Sequence, residues 1–241
     1  MNDLIIGRNP VLEAIRSGRE IDKILIKKGS VDASLGAVLK KAKERGIVIR
    51  ETEKQKMDKL SEGGSHQGII AYAASHEYTP LEELMSRSEK GKRMLVICDR
   101  ITDPHNLGSI LRSADCVGAD GVIIPKHESA GLNSVVAKTS AGALEYIPVA
   151  KVANISQTIA KLKDDGFWIA GADMDGSPMY ECSLTGDIAL VIGSEGTGIS
   201  RIVKENCDFL VKIPMRGHID SLNASVAAAV LMYEAFRQRN Q

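Results

Sequence analysis

The chain has 241 residues, 44% of them hydrophobic, and 31 Lys and Arg balance 31 Asp and Glu for a formal charge of zero. That is apolar material for two modest cores, and no apolar run reaches the roughly eighteen residues of a membrane-spanning helix. The four cysteines (Cys98, Cys116, Cys182, Cys207) form no C-x-x-C pair, and the five histidines show no metal-ligand spacing. A disulfide framework and a metal site are therefore not indicated, and no secretory signature opens the chain. Reduced, buried thiols and a cytoplasmic location are expected. Residues 1–95 hold 18 Lys and Arg against 14 Asp and Glu, whereas residues 96–241 hold 13 against 17. The basic front is a weak pointer to an anionic partner, and a solvated surface explains it about as well.

Residues 1–74 read as a small α/β unit. Asn9-Pro10 opens a helix that Gly18 ends; Lys23–Lys27 is a strand, Ala33–Arg45 an amphipathic helix and Ile47–Arg50 a strand. A lysine-rich helix around Lys54–Leu60 and the strand Gly68–Ala73 follow, separated by a glycine-bearing loop, Glu62–Gly68. There His66 and Gln67 can hydrogen-bond a base edge or phosphate, or the loop can be a plain turn. Residues 75–92 read as a linker with one short helix, and 93–241 as the second domain.

From Met94 strands and helices alternate. Strands are expected at 94–98, 121–124, 147–149, 167–172, 188–192 and 209–213, and helices at 106–117, 134–140, 154–165, 200–206 and from about Ser221 or Leu222 onward. The strands are apolar throughout rather than alternating, as a parallel sheet covered on both faces demands, so the expected fold is doubly wound α/β.

Three strand-to-helix junctions can carry chemistry, since open α/β sheets bind ligands at the carboxyl ends of their strands. The first holds Asn106, either a helix cap or a functional amide, and Arg112, which sits beside the buried stripe of its helix. The second, Gly193-Ser-Glu-Gly-Thr-Gly198, resembles a phosphate loop in glycine spacing, but Ile199 stands where the lysine is required. Its Glu195 can simply complement a helix dipole. In the third, Pro214–Ser225, Ser221 has the residue type of a helix N-cap, and the small side chains beyond it suit close packing against another element or subunit.

Together these junctions resemble the three motifs of the SpoU/TrmH family, RNA ribose 2′-O-methyltransferases of the SPOUT superfamily. The resemblance rests on DPHNLGSILRSADCVGADGVIIP (103–125), SAGALEYIPV (140–149), LVIGSEGTGIS (190–200) and IPMRGHIDSLNASVAAAVLMYE (213–234). The front stretches NPVLEAI and SHQGIIA are similar to the subgroup typified by bacterial 23S rRNA guanosine 2′-O-methyltransferases, whose front domain resembles RNA-binding proteins of the large ribosomal subunit. The resemblance implies a deep trefoil knot in the parallel-sheet domain, against ordinary connection rules. It also implies a homodimer, RNA entering across the subunit interface, and S-adenosylmethionine as methyl donor. Carried over residue by residue, Gly193, Ile213 and Leu222 would hold the donor, with Gly196 and Met215 nearby. Asn106, Arg112, Glu195, Ser221 and Asn223 would surround the transferred methyl. His218, Ile219 and Asp220 receive no role.

The implied reaction is in-line attack of a ribose 2′-oxygen on the sulfonium methyl. In the family the arginine matching Arg112 is treated as the base; because a guanidinium is effectively always protonated in proteins, the preferred reading is stabilisation of a developing alkoxide. The expected substrate is a guanosine of 23S rRNA, with tRNA as the alternative. Two rivals from other classes are a non-catalytic RNA-binding protein and a nucleotide-dependent α/β enzyme.

Overall fold

A computed structural model describes residues 4–29, 32–218 and 221–240. Ile219 and Asp220 fall outside these. Contacts divide the chain into two units: the first ends at Glu77 and takes in Gly131–Ser134, and the second comprises Tyr78–Ala130 and the chain from Val135.

The first unit runs β1 (Leu4–Ile6), α1 (Arg8–Arg16), β2 (Ile21–Lys27), α2 (Ala33–Glu44), β3 (Val48–Thr52), α3 (Lys54–Leu60) and β4 (Ile69–Ala73). The sheet order is β1-β4-β2-β3, with β2 and β3 parallel and β4 antiparallel to both of its neighbours. Val11 and Ile15 of α1 and Leu35, Val38 and Ala42 of α2 recur at helical spacing and bury against Ile24, Ile26, Ile69 and Ala71. Asp32 caps α2, accepting from the Leu35 amide at 3.0 Å.

The second unit runs α4 (Leu81–Met85), β5 (Met94–Cys98), α5 (Pro104–Cys116), β6 (Gly121–Pro125), α6 (Ser134–Thr139), β7 (Val149–Val152), α7 (Ile155–Asp164), β8 (Trp168–Pro178), β9 (Ile188–Ile192), α8 (Arg201–Glu205), β10 (Phe209–Lys212) and α9 (Ala224–Arg239). Its six strands form one sheet, β10-β8-β9-β5-β6-β7, and every pairing is parallel. Period-two alternation sends Leu95, Ile97, Ile123, Ile169 and Val191 to a core shared with Ile159 and Leu162 of α7 and Val203 of α8. α5 and α9 pack on each other and cover strands too, burying Leu107, Ile110 and Leu111 of one and Ala228, Leu231 and Met232 of the other.

Several boundaries differ from the sequence expectation for physical reasons. Within the stretch expected to be linker, Leu84 of α4 is fully buried in the second unit's core. The strand expected at 147–149 is β7, beginning at Val149, because Ala143–Glu145 forms a 3₁₀ turn first. β8 is longer than expected and interrupted: its pairing with β10 jumps from Gly171↔Leu210 to Ser177↔Val211, so residues 172–176 swing out of the ladder. The thiols are free as expected, but only Cys98 is buried, and Cys116 is exposed.

A buried arginine fastens the amino-terminal edge of this sheet. The Arg93 guanidinium donates to Asp187 at 2.7 Å, to Asp165, and to the Met85 carbonyl at 2.8 Å, and it stacks 4.2 Å over the Phe167 ring. The opposite edge, where the strands end, is left to the loops.

Candidate active site

The carboxyl ends of β5, β9 and β10 carry the three junctions. After β9 the chain makes a tight hairpin: Ser194 and Gly198 exchange backbone hydrogen bonds at 3.1 and 2.9 Å, and the hydroxyls of Ser194 and Thr197 lie 2.7 Å apart. A Cβ at Gly193 would stand 2.0 Å from the Gly198 carbonyl carbon, so the crossing of the two chain segments requires glycine there. The hairpin lifts Glu195 to its tip.

Glu195 does not serve the dipole of α8. Its Oε1 accepts from Asn106 Nδ2 at 2.8 Å and from Asn223 Nδ2 at 2.5 Å, while Asn223 Nδ2 also donates to Asn106 Oδ1 at 2.9 Å. One residue from each junction thus meets in a closed polar network. Asn106 is not a cap either: Asp103 caps α5 by accepting from the His105 amide at 2.9 Å, and Asn106 lies inside the first turn, buried. The cap expected of Ser221 belongs to Asn223, whose Oδ1 accepts from the amides of Ser225 and Val226 at 3.0 and 3.3 Å. Asn223 therefore holds the start of α9 with one side-chain atom and Glu195 with the other.

Beside this network opens a cleft of about 410 Å³. Gly193, Gly196, Ile213, Met215 and Leu222, the residues expected to hold a cofactor, all line it. Glu195 and Ser221 line it too. Ile192, Ala227 and Leu231 give it an apolar floor. On β5, where Cys98 pairs with Ile192, burial and the neighbouring Asp99 push the Cys98 thiol up to about 12, so it stays protonated and inert.

Arg112 stands apart. It is exposed on α5 and makes no hydrogen bond or ion pair among the described residues. Six residues beyond Asn106, it sits about 9 Å further along the helix and turned away from it. Ser221 reaches the cleft but not the network.

One wall of the cleft was missed by sequence reasoning. The excursion of β8 carries Asp173 and Asp175, both paired to Lys204 Nζ, at 2.9 and 2.8 Å. Lys204 holds the Asp175 carboxyl below the usual range, and its own ammonium is held above by Asp175 and Asp173. The available signal was the run Asp173-Met-Asp-Gly176, polar where an uninterrupted strand would be apolar. In the first unit, His66 is a structural group: its Nε2 lies 3.0 Å from Asp58 and its Nδ1 accepts from the Gly68 amide at 3.0 Å. Gln67 Oε1 accepts from the Arg8 amide at 3.1 Å.

Comparison with known proteins bears on the family and the fold. Residues 93–233 match the SpoU rRNA Methylase family, and residues 4–79 match the family described as RNA 2′-O ribose methyltransferase substrate binding. A putative TrmH family tRNA/rRNA methyltransferase of Staphylococcus aureus (strain MSSA476) is 47% identical over 241 residues, covering 98% of this chain and 96% of its own. The SpoU methyltransferase AviRb from Streptomyces viridochromogenes, solved in complex with the cofactor AdoMet, shares the fold with a TM-score of 0.61 at 24% identity, over 98% of this chain and 89% of its own. The A. aeolicus TrmH/SpoU tRNA modifying enzyme is 31% identical with a TM-score of 0.57, over 66% of this chain and 81% of its own. With both matches falling in order along the sequence and a relative so similar over nearly its full length, the chain belongs to the SpoU/TrmH family of RNA 2′-O-ribose methyltransferases.

Proposed function

We propose that the chain methylates the ribose 2′-hydroxyl of a guanosine in 23S rRNA, with S-adenosylmethionine as donor, and that it works as a homodimer. The observation that carries the chemistry is the Asn106–Glu195–Asn223 network at the rim of the cleft. The cleft fits the donor: its volume lies in the range of small-molecule sites, and its floor is apolar. Glu195, Asp173 and Asp175 outnumber Lys204 and Lys212 on its walls, which suits a cationic ligand. Gly193, Ile213 and Leu222 would hold it, with Gly196 and Met215 beside them. When bound, the donor supplies a methyl group already activated as a sulfonium substituent.

The protein's own task is alignment and charge. Ser221 at the cleft rim and the amides of the network orient the ribose so that its oxygen faces the methyl in line. Arg112, without a partner among the described residues, meets the RNA and stabilises the oxygen as its proton leaves for solvent. A guanidinium also grips a neighbouring phosphate by two parallel hydrogen bonds, which fixes the nucleotide. Requirement for a 2′-hydroxyl restricts the reaction to RNA.

The dimer is supported by α9: while Ala228, Leu231 and Met232 are buried on one face, Val226, Tyr233 and Phe236 lie exposed on another. The trefoil knot belongs to the same reading. It is supported by a sheet in which β10 lies outside β8 while α9, following it, returns to pack on α5. The test is transfer of labelled methyl to naked 23S rRNA and, separately, to unmodified tRNA, followed by mapping of the modified ribose. Label on a 23S guanosine supports the reading, label on tRNA alone moves the substrate, and label on neither removes it.

A further inference from the structure

We infer that Arg100 is a positioning residue, a brace at the end of β5 that holds the glycine hairpin so that Glu195 meets its two asparagine partners. Arg100 is a non-glycine residue at φ 61. That left-handed backbone is unfavourable for an ordinary side chain, and such strain persists where the surroundings impose it. A glycine would sit there freely, so the side chain must return something for the strain.

What it touches identifies the return. Arg100 Nη2 donates to the Gly198 carbonyl at 3.4 Å, the same carbonyl that accepts from Ser194 and closes the hairpin. Its Nε lies 3.7 Å from Asp99 Oδ1, too long for a hydrogen bond, and is buried without another partner among the described residues. Asp99 in turn accepts from the Ser200 amide at 2.5 Å. The dipeptide Asp99-Arg100 thus grips the hairpin's returning limb at two points, Gly198 and Ser200. Glu195 is carried on that hairpin and is reached by Asn106 and Asn223 from other elements. A loop of this length with glycine at 193, 196 and 198 has little stiffness of its own, so its register depends on what lies beneath it.

The brace acts through Glu195 and touches no reacting atom. The kinetic part of its test rests on the proposed methyl transfer, so a second readout is independent of activity. Three chains are compared: Arg100→Gly, Glu195→Gln and the double variant. For Arg100→Gly, relief of the strained φ keeps the thermal midpoint at or above that of the parent. Hydrogen exchange at Gly198 and Ser200 rises about tenfold while the rest of the sheet is unchanged. The turnover number falls about tenfold with the donor KM within about twofold, and the loss vanishes in the Glu195→Gln background, as two groups acting in one chain of contacts require. Unchanged exchange at those amides, or an equal further loss on top of Glu195→Gln, overturns the brace. A parent chain that methylates no RNA overturns the proposed reaction instead, and the exchange result still decides the brace.

Discussion

Asn223 joins two jobs that substitutions can separate. Its Oδ1 caps α9, and its Nδ2 ties Glu195 to Asn106. Asn223→Ala removes both. Loss of an N-cap costs about 1 kcal/mol. The bond to Glu195 is charge-assisted, but Glu195 and Asn223 are both exposed, so water replaces most of it and the cap dominates the stability term. For a chain of this size the thermal midpoint should fall by about 2–4 °C. Methyl transfer should fall about a hundredfold, the order expected when one preorganised polar group leaves a site. Asn223→Ser keeps a hydroxyl acceptor for the cap and lacks the amide donor. Its midpoint should stay within about 1 °C of the parent while its activity falls as far as that of the alanine variant. Asn223→Asp also caps, yet sets a carboxylate against Glu195, so its activity should be lowest and should recover partly as salt screens the pair. Scanning calorimetry with a labelled-methyl assay on the three variants separates the roles. Activity of Asn223→Ser within about twofold of the parent would refute the claim that the network, rather than the helix cap, is what the reaction needs.

Other expectations follow from single contacts. Gly193→Ala drives a methyl into the Gly198 carbonyl carbon, so donor binding by calorimetry should be lost even where the fold survives; retained affinity would show that the hairpin can shift at no cost. Arg112→Lys keeps the charge but not the planar fork, and single-turnover methylation should fall at least about tenfold; a near-normal rate removes Arg112 from the mechanism. Tyr233→Asp, placed in the exposed stripe of α9, should convert the proposed dimer to monomer in sedimentation, and an unchanged dimer mass would relocate the interface. Burial alone would raise the Asp187 carboxyl, but the hydrogen bonds from Arg93 and from the amides of Gly91 and Arg93 outweigh it and hold it at about 2, against 3.8 ordinarily. A depressed carboxylate contributes stability that is present above the unfolded value and lost as pH falls through 3.8 toward 2, here about 2 kcal/mol. Asp187→Asn should flatten that part of the midpoint-against-pH curve, and an unaltered slope would assign the acid limb to other groups.

Which parts of this molecule were legible in its sequence follows from the range of the forces involved. β5 and β9 fall where expected because a strand buried on both faces leaves an unbroken apolar run, a property of five adjacent residues. The convergence of Asn106, Glu195 and Asn223 was available only through family resemblance, since Asn106 taken singly reads as a cap and Glu195 as a dipole partner. Local chemistry misassigned the caps for the same reason. Ser221 has the residue type, but Ser221 and Leu222 line the cleft ahead of the helix, which starts at Ala224, and Asn223 takes the role. The excursion of β8 was hidden because its cause lies in another strand: a Cβ at Gly176 would stand 2.5 Å from the Leu210 carbonyl carbon, a contact made only once β10 has docked. Sheet order is still further from sequence, because no periodicity records that β10 lies outside β8. Arg112 marks the limit in the other direction. One folded chain leaves it exposed and without a partner among the described residues, and in the proposed reaction its guanidinium acts on the RNA rather than on the donor. An Arg112→Lys chain should therefore bind the donor as tightly as the parent while methylating slowly; weakened donor binding would place Arg112 in the cleft after all.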